Sequence, residues 1–364
     1  MRFPEIVYMS WAKAAAPAEI DLAASGVAAC PVRLLGLDDS DFATHHRAGY
    51  GWPPLVAEIA RRYRVADDRV ACASGGASLA NWLACAAVLE GGDRRTEVIV
   101  ERPAYEPLRR IPESFGCRVR RLDRRLGDGY ALDLERLRAL VGRRTRLLVL
   151  TDLHNPSGAP LDRRELVEAA AVLERCGGYV LVNEVYRETL WTEATDSAVH
   201  AAPNVLTTNS LTKAYGLDGL RAGWLLGPPA LVHRARKIHD YLGVNGVATA
   251  DRMALAALRH LPAIRARAQR RLAANRASLV RFLSRERRLA CLAPPGGTVA
   301  FPRLPRGLDG ERFAELLLRR HSTRVVPGAF FEAPRHVRIG FPAPQRAFRL
   351  GLERITRALD ELAG

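Results

Sequence analysis

The feature that most constrains the fold is an alternation of two hydrophobic patterns between about residues 70 and 226. Short apolar runs rich in β-branched residues alternate there with helical stretches, such as "SLANWLACAAVLEGG", that end in glycine. Apolar runs of this kind are typical of strands buried on both faces, and the stretches between them are long enough for crossover helices. The pattern therefore predicts a mainly parallel α/β sheet covered by helices. The predicted strands are "EVIVE" (97–101), "RLLVL" (146–150), "YVLVNEV" (179–185), "NVLTTNS" (204–210) and "RAGWLLG" (221–227).

The pattern changes after about residue 250. One long Arg-rich helix is predicted over about 252–286, followed by short strands around "GGTVAFPRL" and "HVRIGF" and by a closing helix. This order predicts a second, smaller α+β domain. We expect a large domain over residues 41–255 and a small domain built from 1–40 and 256–364. Because no low-complexity linker separates them, we expect one continuous interface, with the aperiodic first forty residues packed across both parts.

Composition narrows the classes of function. The formal net charge of +16 permits a nucleic-acid binder, but the arginines are dispersed along amphipathic helical segments without a recognisable nucleic-acid-binding motif. The six cysteines form no C-x-x-C pair, which argues against a zinc site and a disulfide framework. No apolar run approaches the roughly 18 residues of a membrane span. The first twenty residues lack a secretory pattern, so we expect a cytoplasmic protein.

The segment "TNSLTKAYGLDGLRAG" (208–223) contains Lys213, one of only three lysines among 55 basic residues. The other two are Lys13 and Lys237. Arginine does not lose its proton in proteins, whereas a lysine amine can do so and can attack a carbonyl to form a Schiff base. Lys213 is therefore a candidate nucleophile. The alternative is that a lysine occurs at this position by chance.

Small, polar and aromatic residues lie where predicted strands end. Gly75 and Gly76, with Ala77 and Ser78, precede a helix, and such a turn either binds an anion or serves only as a turn. Tyr105 in "ERPAYEPL" could stack on a planar ligand or belong to the core. Ligands of open α/β sheets bind at this edge of the sheet.

Two further strands end in polar residues. Asn155 in "TDLHNPSGAPL" either contacts a ligand or caps its loop. The segment "VNEVYRE" adds Asn183, Glu184 and Tyr186 at the end of another strand. These residues extend the candidate site along the same edge of the sheet.

The order of these motifs resembles one family over nearly the whole chain. A Gly-rich turn, a strand-edge aromatic residue, N-P-x-G, x-E-x-Y, S-x-T-K and G-L-R-x-G follow one another as in the pyridoxal-phosphate (PLP) enzymes of fold type I, and more narrowly as in the class I/II aminotransferases. The resemblance implies a PLP-transferase fold of type I, with a mainly parallel, seven-stranded sheet between helices and a smaller α+β domain. It also implies pyridoxal 5'-phosphate as cofactor, amino-acid and 2-oxo-acid substrates, and a homodimer.

The resemblance further implies a role for each matching residue. Lys213 would hold the cofactor as an internal aldimine and shuttle the proton at the substrate α-carbon. Arg338 in "RHVRIGF" would bind the substrate α-carboxylate as a bidentate fork; its alternative is a solvated strand arginine. Tyr50 in "GYGWPPLVAEIARRY" would reach the phosphate of a neighbouring subunit. The remaining cofactor contacts would come from Gly76, Ala77, Ser78, Ser210 and Arg221 at the phosphate, Asn155 and Tyr186 at the phenolic oxygen, and Tyr105 on the ring face.

Asn183 departs from the family pattern, which has aspartate three residues before the tyrosine to keep the pyridine nitrogen protonated. A neutral amide cannot stabilise a pyridinium as a carboxylate does, so the electron sink would be weaker. Glu184 is no obvious substitute, because adjacent residues on a strand point to opposite faces. Asn183 therefore brings ordinary transamination into question but leaves cofactor binding in place.

The sequence predicts a PLP-dependent enzyme that acts on an α-amino acid through an external aldimine, with transamination as the default reaction. One alternative is a lyase, decarboxylase or biosynthetic cyclase of the same fold, which Asn183 favours. Another is a non-catalytic PLP-binding regulator, for which no appended DNA-binding domain is visible in the 364 residues. The side-chain pocket is expected from the first fifty residues, including Tyr8, Trp11 and "DLAASGV".

Overall fold

The computed structural model describes residues 2–14, 16–47 and 49–362. Its strands are β1 (Ile20–Asp21), β2 (Val70–Ala73), β3 (Glu97–Arg102), β4 (Arg118–Asp123), β5 (Thr145–Thr151), β6 (Tyr179–Asn183), β7 (Val205–Ser210), β8 (Gly223–Leu226), β9 (Val299–Ala300), β10 (Thr323–Arg324), β11 (Val326–Pro327) and β12 (Val337–Gly340). Seven of them form one sheet in the order β2-β8-β7-β6-β5-β3-β4. Only β8 runs antiparallel to its neighbours, so the predicted mainly parallel seven-stranded sheet is confirmed.

Alternating side chains of the central strands supply two separate cores, one on each face of the sheet. Val98, Val100, Leu147, Val149 and Leu181 belong to one apolar cluster. The residues between them, such as Ile99, Leu148 and Val180, belong to another on the opposite face. Because a strand that is apolar on both faces must be covered twice, the continuous apolar runs of the sequence require helices on both sides.

The helices that cover the sheet and build the rest of the chain are α1 (Val7–Lys13), α2 (Pro53–Tyr63), α3 (Gly76–Leu89), α4 (Glu106–Ser114), α5 (Leu134–Leu140), α6 (Arg163–Glu174), α7 (Thr212–Tyr215), α8 (Pro229–His239), α9 (Ala248–Arg259), α10 (Leu261–Arg285), α11 (Gly310–His321) and α12 (Gln345–Glu361). The prediction of one helix over 252–286 is wrong, because the chain breaks at His260 between α9 and α10. Pro262 lies in the first turn of α10, where its missing N–H needs no acceptor, but it could not continue the preceding helix.

The C-terminal part packs around a three-stranded antiparallel sheet in the order β11-β12-β9. The N-terminal segment joins this part, since β1 pairs in parallel with β10 and the Gly340 N–H donates to the Leu22 carbonyl oxygen at 2.6 Å. The same segment contacts the other part, where the Val27 N–H donates to the Lys213 carbonyl oxygen at 3.0 Å. It thus packs across both parts as expected, whereas the domain boundaries at residues 40 and 255 stay a prediction.

Candidate active site

The predicted site residues converge at one edge of the large sheet, where β5, β6 and β7 end at Thr151, Asn183 and Ser210. A cavity of about 520 Å³ opens there, bounded on its other side by α1 and β12. All but two of the predicted site residues line it. Those present are Ala77, Ser78, Tyr105, Asn155, Asn183, Tyr186, Ser210, Lys213, Arg221 and Arg338.

Lys213 projects into this cavity from the short helix α7. Its Nζ donates to Ser25 Oγ at 3.0 Å. Desolvation lowers the pKa of the Lys213 amine, and the positive charge of Arg338 acts in the same direction. The site therefore favours a neutral amine at this position more than water does.

Arg338 is fully buried on β12 and is held by three acceptors. Its Nη2 donates to Tyr8 Oη at 2.9 Å and to the Ala23 carbonyl oxygen at 3.0 Å, and its Nη1 donates to Asn155 Oδ1 at 3.3 Å. Its Nε has no partner among the described residues. A desolvated guanidinium that pairs with no carboxylate of the described part of the chain is suited to bind an anion that enters the cavity.

Asn155 is itself fixed by a buried network behind the cavity. Its backbone N–H donates to Thr151 Oγ1 at 3.0 Å, and that hydroxyl donates to Glu101 Oε1 at 2.5 Å. Arg124 neutralises Glu101 through an Nη1–Oε2 contact of 2.7 Å in a fully buried ion pair. The turn that carries Asn155 is therefore anchored to β3 by charge-assisted hydrogen bonds.

A second anion-binding corner lies where α3 begins. Gly76 opens that helix with a φ of 68°, and its N–H donates to the Arg221 carbonyl oxygen at 2.7 Å. A Cβ on Gly223 would lie 2.4 Å from the carbonyl carbon of Gly76, so β8 passes this turn at a distance that only glycine allows. Arg221, Ser78 and Ser210 line the cavity beside the helix terminus, which attracts negative charge.

Aromatic residues form the wall next to this corner. Tyr105 and Tyr8 meet edge to face, with ring centroids 5.7 Å apart, and Tyr105 Oη donates to Met9 Sδ at 3.2 Å. Burial raises the pKa of the Tyr186 hydroxyl, so that group stays protonated near neutral pH. Trp11 packs against Tyr8 at a centroid distance of 6.1 Å rather than lining the cavity.

Asn183 faces the floor of the cavity beside Asn81. Its Nδ2 donates to Asn81 Oδ1 at 3.1 Å, and its Oδ1 accepts from the Val185 N–H at 3.3 Å. Glu184 is turned away from the cavity and accepts from Ser197 Oγ at 2.6 Å and from the Ala198 N–H at 2.7 Å. No Asp or Glu is among the described residues that line the cavity.

Two predicted residues do not line this cavity. Gly76 supports it only through the backbone contacts described above. Tyr50 is 40% exposed, and its ring lies 6.2 Å from that of His233, apart from the cavity of its own chain. Its contact with a neighbouring subunit stays a prediction.

Sequence reasoning missed Ser25 and Asn81 as individual site residues. Ser25 lies in the segment "DLAASGV", which was expected to contribute to a side-chain pocket rather than to contact Lys213. Asn81 lies inside α3, where a polar residue in an otherwise apolar turn of the helix was the only available signal. Within the described residues, no group of three or more His, Cys, Asp or Glu could hold a metal ion. The same residues contain no helix with the length and apolarity needed to cross a membrane.

The donors around the cavity fit PLP. A phosphate suits the corner at Arg221, Ser210 and the start of α3, and an aldehyde suits the amine of Lys213. Gly223 leaves the space that a Cβ would remove at this corner. Asn155, Tyr186 and the amide of Asn183 supply hydrogen-bonding groups between these two ends.

Comparison with known proteins gives the family. The family description "aminotransferase class I and II" matches residues 43–351. Capreomycidine synthase of Streptomyces vinaceus is 34% identical over 316 residues, which cover 84% of this chain and 78% of that protein. The arginine–pyruvate transaminase AruH of Pseudomonas aeruginosa is 30% identical over 341 residues, covering 88% of this chain and 84% of that protein.

Solved structures agree with this assignment. A PLP-dependent aminotransferase from Streptococcus suis superimposes with a TM-score of 0.89 and 27% identity, and 99% of each chain is covered. The chain therefore belongs to the class I and II aminotransferase family, has fold type I, and is a PLP-dependent enzyme by family.

Proposed function

We propose that this enzyme acts at the α-carbon of an α-amino acid and that amino transfer to a 2-oxo acid is its default reaction. The observation that carries the proposal is one cavity that holds both the desolvated amine of Lys213 and the buried fork of Arg338. An amino acid offers the two groups that these side chains suit, an amine next to the reacting carbon and a planar carboxylate.

The residues that would hold PLP are those that the resemblance names. Lys213 would bind it covalently, and Ser210, Arg221 and the start of α3 at Gly76, Ala77 and Ser78 would hold its phosphate. Tyr105 would contact the ring face, Asn155 and Tyr186 the phenolic oxygen, and Asn183 the ring nitrogen. The chemistry that PLP supplies when bound is uptake of the electron pair left at the α-carbon when a bond there breaks.

The chain's own residues would bind the substrate and move its proton. Arg338 binds the α-carboxylate, and Asn155 and Tyr8 orient the guanidinium for that contact. Lys213, as a neutral amine, takes the proton from the α-carbon and returns it, with Ser25 orienting Nζ. Tyr105 and Tyr8 cover this side of the cavity and limit the access of water.

A homodimer belongs to the same proposal. Arg221 is exposed in the single chain, although it lines the cavity. Tyr50 and Val244 are also exposed and both border one small surface pocket. A second copy that covers Arg221 and brings its own Tyr50 to the phosphate would complete the site. Multi-angle light scattering of the holoenzyme tests the expected dimer mass.

A second function is favoured by Asn183, which occupies the position of the family's aspartate. With an amide there, an elimination, decarboxylation or cyclisation that tolerates or exploits a weaker electron sink becomes a candidate. Capreomycidine synthase, to which the chain is similar, is by its name a biosynthetic enzyme rather than a transaminase. A non-catalytic regulator is the remaining alternative.

A spectrophotometric scan of the holoenzyme separates these functions. The common amino acids are mixed with the protein, with and without pyruvate or 2-oxoglutarate, and the products are identified by mass spectrometry. Transamination yields a 2-oxo acid whose turnover requires the added acceptor. A product formed without an acceptor favours the second function, and the absence of any product with all amino acids contradicts both.

A further inference from the structure

Three polar side chains are buried together at the floor of the cavity. Asn81 on α3, Asn183 at the end of β6 and Thr208 on β7 are 3%, 5% and 0% exposed. Asn183 and Thr208 are paired neighbours on adjacent parallel strands, and Asn81 contacts both of them from the helix. We refer to Asn81, Asn183 and Thr208 as the amide triad.

The hydrogen bonds of the amide triad fix which way the Asn183 amide points. The Val185 N–H can only donate, so the atom that faces it at 3.3 Å must be Asn183 Oδ1. The nitrogen of the same amide then faces Asn81, whose Oδ1 accepts from it at 3.1 Å. Thr208 Oγ1 donates to that same Oδ1 at 2.5 Å, which keeps the Asn81 oxygen toward Asn183.

In this arrangement, the amides of Asn183 and Asn81 each keep N–H groups that can donate to a ligand in the cavity. An amide nitrogen carries two hydrogens, and the bond to Asn81 uses only one of those on Asn183. Nδ2 of Asn81 has no acceptor among the described residues, and Asn81 borders the cavity. The floor of the cavity therefore presents donors and no carboxylate.

We propose that Asn81 and Thr208 are positioning residues that hold the Asn183 amide with its N–H toward the ring nitrogen of PLP, which is thereby bound unprotonated, as an acceptor. The inference rests on the proposed function, because it assumes that the cofactor lies in this cavity. It assigns to the amide triad a task opposite to that of a carboxylate, which would retain a proton on the same nitrogen.

The charges around the cavity act in the same direction. The nearest carboxylate along the strand, Glu184, is occupied by Ser197 and Ala198 on the far side. Because positive charges disfavour a further cation, the cationic side chains that line the cavity oppose protonation of the ring nitrogen. The titratable groups among the described lining residues are Lys13, Lys213, Arg221, Arg338, Tyr8, Tyr105 and Tyr186.

The test follows the nitrogen itself. The holoenzyme is prepared with PLP carrying ¹⁵N in the ring, and its ¹⁵N resonance is recorded between about pH 6.5 and 9. In the native protein we expect the position of an unprotonated, hydrogen-bonded nitrogen throughout. In Asn183→Asp we expect a move to the protonated position. A protonated nitrogen in the native protein near neutral pH would overturn the inference.

Matched variants test the positioning roles of Asn81 and Thr208. Asn81→Leu keeps the volume but removes the acceptor, and Thr208→Val removes the hydroxyl. Each is expected to weaken PLP binding by roughly fivefold, the effect of one neutral hydrogen bond, and to shift the resonance toward that of a nitrogen without a donor. Thr208→Ser keeps the hydroxyl and should stay within about twofold of the native affinity, with an unchanged resonance. An unmoved resonance in both Asn81→Leu and Thr208→Val would show that the triad serves packing alone.

The same samples separate this inference from the proposed function. If borohydride fixes PLP to Lys213 but the ring nitrogen carries a proton, only the role of the amide triad fails. If no PLP is retained at Lys213, the proposed function fails as well.

Discussion

Lys213 can be tested without changing its charge. Lys213→Arg keeps a cation in the cavity, but a guanidinium does not become a neutral amine and cannot bind the cofactor aldehyde. We expect the variant to lose the visible absorption of covalently bound PLP and to release the cofactor after borohydride treatment and denaturation. Lys13→Arg, a change at another lysine of the same cavity, is the control and should retain both signals. Borohydride fixation in Lys213→Arg would contradict the assignment.

Arg338 is predicted to recognise the substrate rather than the cofactor. Arg338→Lys keeps the charge but cannot form two parallel hydrogen bonds, and it leaves Tyr8 or Asn155 without its present donor. Losing a desolvated charge-assisted pair costs about 2–5 kcal/mol. We therefore expect a rise of at least tenfold in the apparent dissociation constant of the amino acid, measured by spectral titration, while the spectrum of bound PLP stays unchanged.

The control for this change is Arg324→Lys. Arg324 pairs with Asp21 on the neighbouring strand, outside the cavity, so amino-acid affinity should stay near the native value. Equal affinities in Arg338→Lys and the native protein would show that the carboxylate binds elsewhere.

Motifs in the sequence identified the site residues that lie within a recognisable local segment. They did not identify site residues whose contacts are with distant parts of the chain. Lys213, Asn155 and Arg338 lie in recognisable segments and all line the cavity. Ser25 contacts Lys213 across 188 positions, and Asn81 contacts Asn183 across 102. Such contacts exist only after the chain has folded, and no local pattern encodes them.

The junction between α3 and β8 sets the shape of the anion-binding corner, where we expect the phosphate of PLP. Gly223→Ala would place a Cβ 2.4 Å from the Gly76 carbonyl carbon and 2.8 Å from the Ala77 nitrogen, both of them backbone atoms. Overpacking of this kind typically costs about 1–3 kcal/mol. Because the displaced atoms are those at the start of α3, we expect PLP affinity to fall by at least fivefold, measured by absorbance titration.

Gly227→Ala, directly after the other end of the same strand, is the matched control. A Cβ there would approach Leu206 Cγ at 3.1 Å, and that side chain can adjust. We expect little change in its PLP affinity. The role of the junction would be contradicted if Gly223→Ala bound PLP as well as Gly227→Ala.

The loop after β6 makes stability depend on pH through Glu184. Burial raises the pKa of this carboxyl from 4.5 to about 7. A raised pKa in the folded state contributes stability that is fully present below pH 4.5 and is lost as the pH rises through 7. Between these two pH values, the contribution of Glu184 to the free energy of unfolding falls by about 3 kcal/mol at most.

Glu184→Gln removes this titration and can still accept from the Ala198 N–H. We expect the free energy of unfolding of Glu184→Gln minus that of the native protein, both measured in urea with saturating PLP, to increase as the pH rises from 4.5 to 8. Glu90→Gln at the exposed end of α3 should show no such trend. Parallel pH profiles for Glu184→Gln and the native protein would contradict the prediction.

At the scale of elements, the apolar runs predicted the central strands of the large sheet, which are buried on both faces, and did not predict its edge strands. The five strands predicted in the large sheet are present, although β6 ends at Asn183 rather than at residue 185. Neither edge strand was predicted. The sequence of β4, "RVRRLD", has charged side chains where a central strand has apolar ones, and β2 is buried but has only the four residues "VACA". The break between α9 and α10 was missed because the apolar and basic pattern continues across His260.

Over the whole molecule, the excess of arginine neutralises the carboxylates that lie near the cavity. Glu106 contacts Arg110 at 2.9 Å, and Glu101 contacts Arg124 at 2.7 Å. Further pairs are Asp152 with Arg187 and Glu332 with Arg121. Arginines thus pair with these carboxylates, and the described lining residues themselves include no Asp or Glu. This arrangement could be seen only once the fold had brought these residues together.

This charge distribution predicts which side chains the enzyme accepts. The cavity is lined by Lys13 as well as by Lys213, Arg221 and Arg338, and Lys13 makes no ion pair with the described residues. Lys213, Arg221 and Arg338 are assigned to the cofactor and to the α-carboxylate, so a cationic side chain would meet Lys13 and no lining carboxylate. Contact between like charges disfavours such a substrate. Arginine, after which the related transaminase of Pseudomonas aeruginosa is named, should therefore be a poor substrate for this chain.

Citrulline, the neutral analogue of arginine with nearly the same shape, provides the matched test. We expect kcat/KM for citrulline to exceed that for arginine by at least tenfold, equivalent to about 1.4 kcal/mol of discrimination in the transition state. Lys13→Ala should narrow the ratio because it removes the cation that has no other assigned contact, whereas Arg346→Ala on the exposed face of α12 should leave it unchanged. Equal or better use of arginine by the native protein would mean that a carboxylate reaches the cavity from outside this chain's own lining.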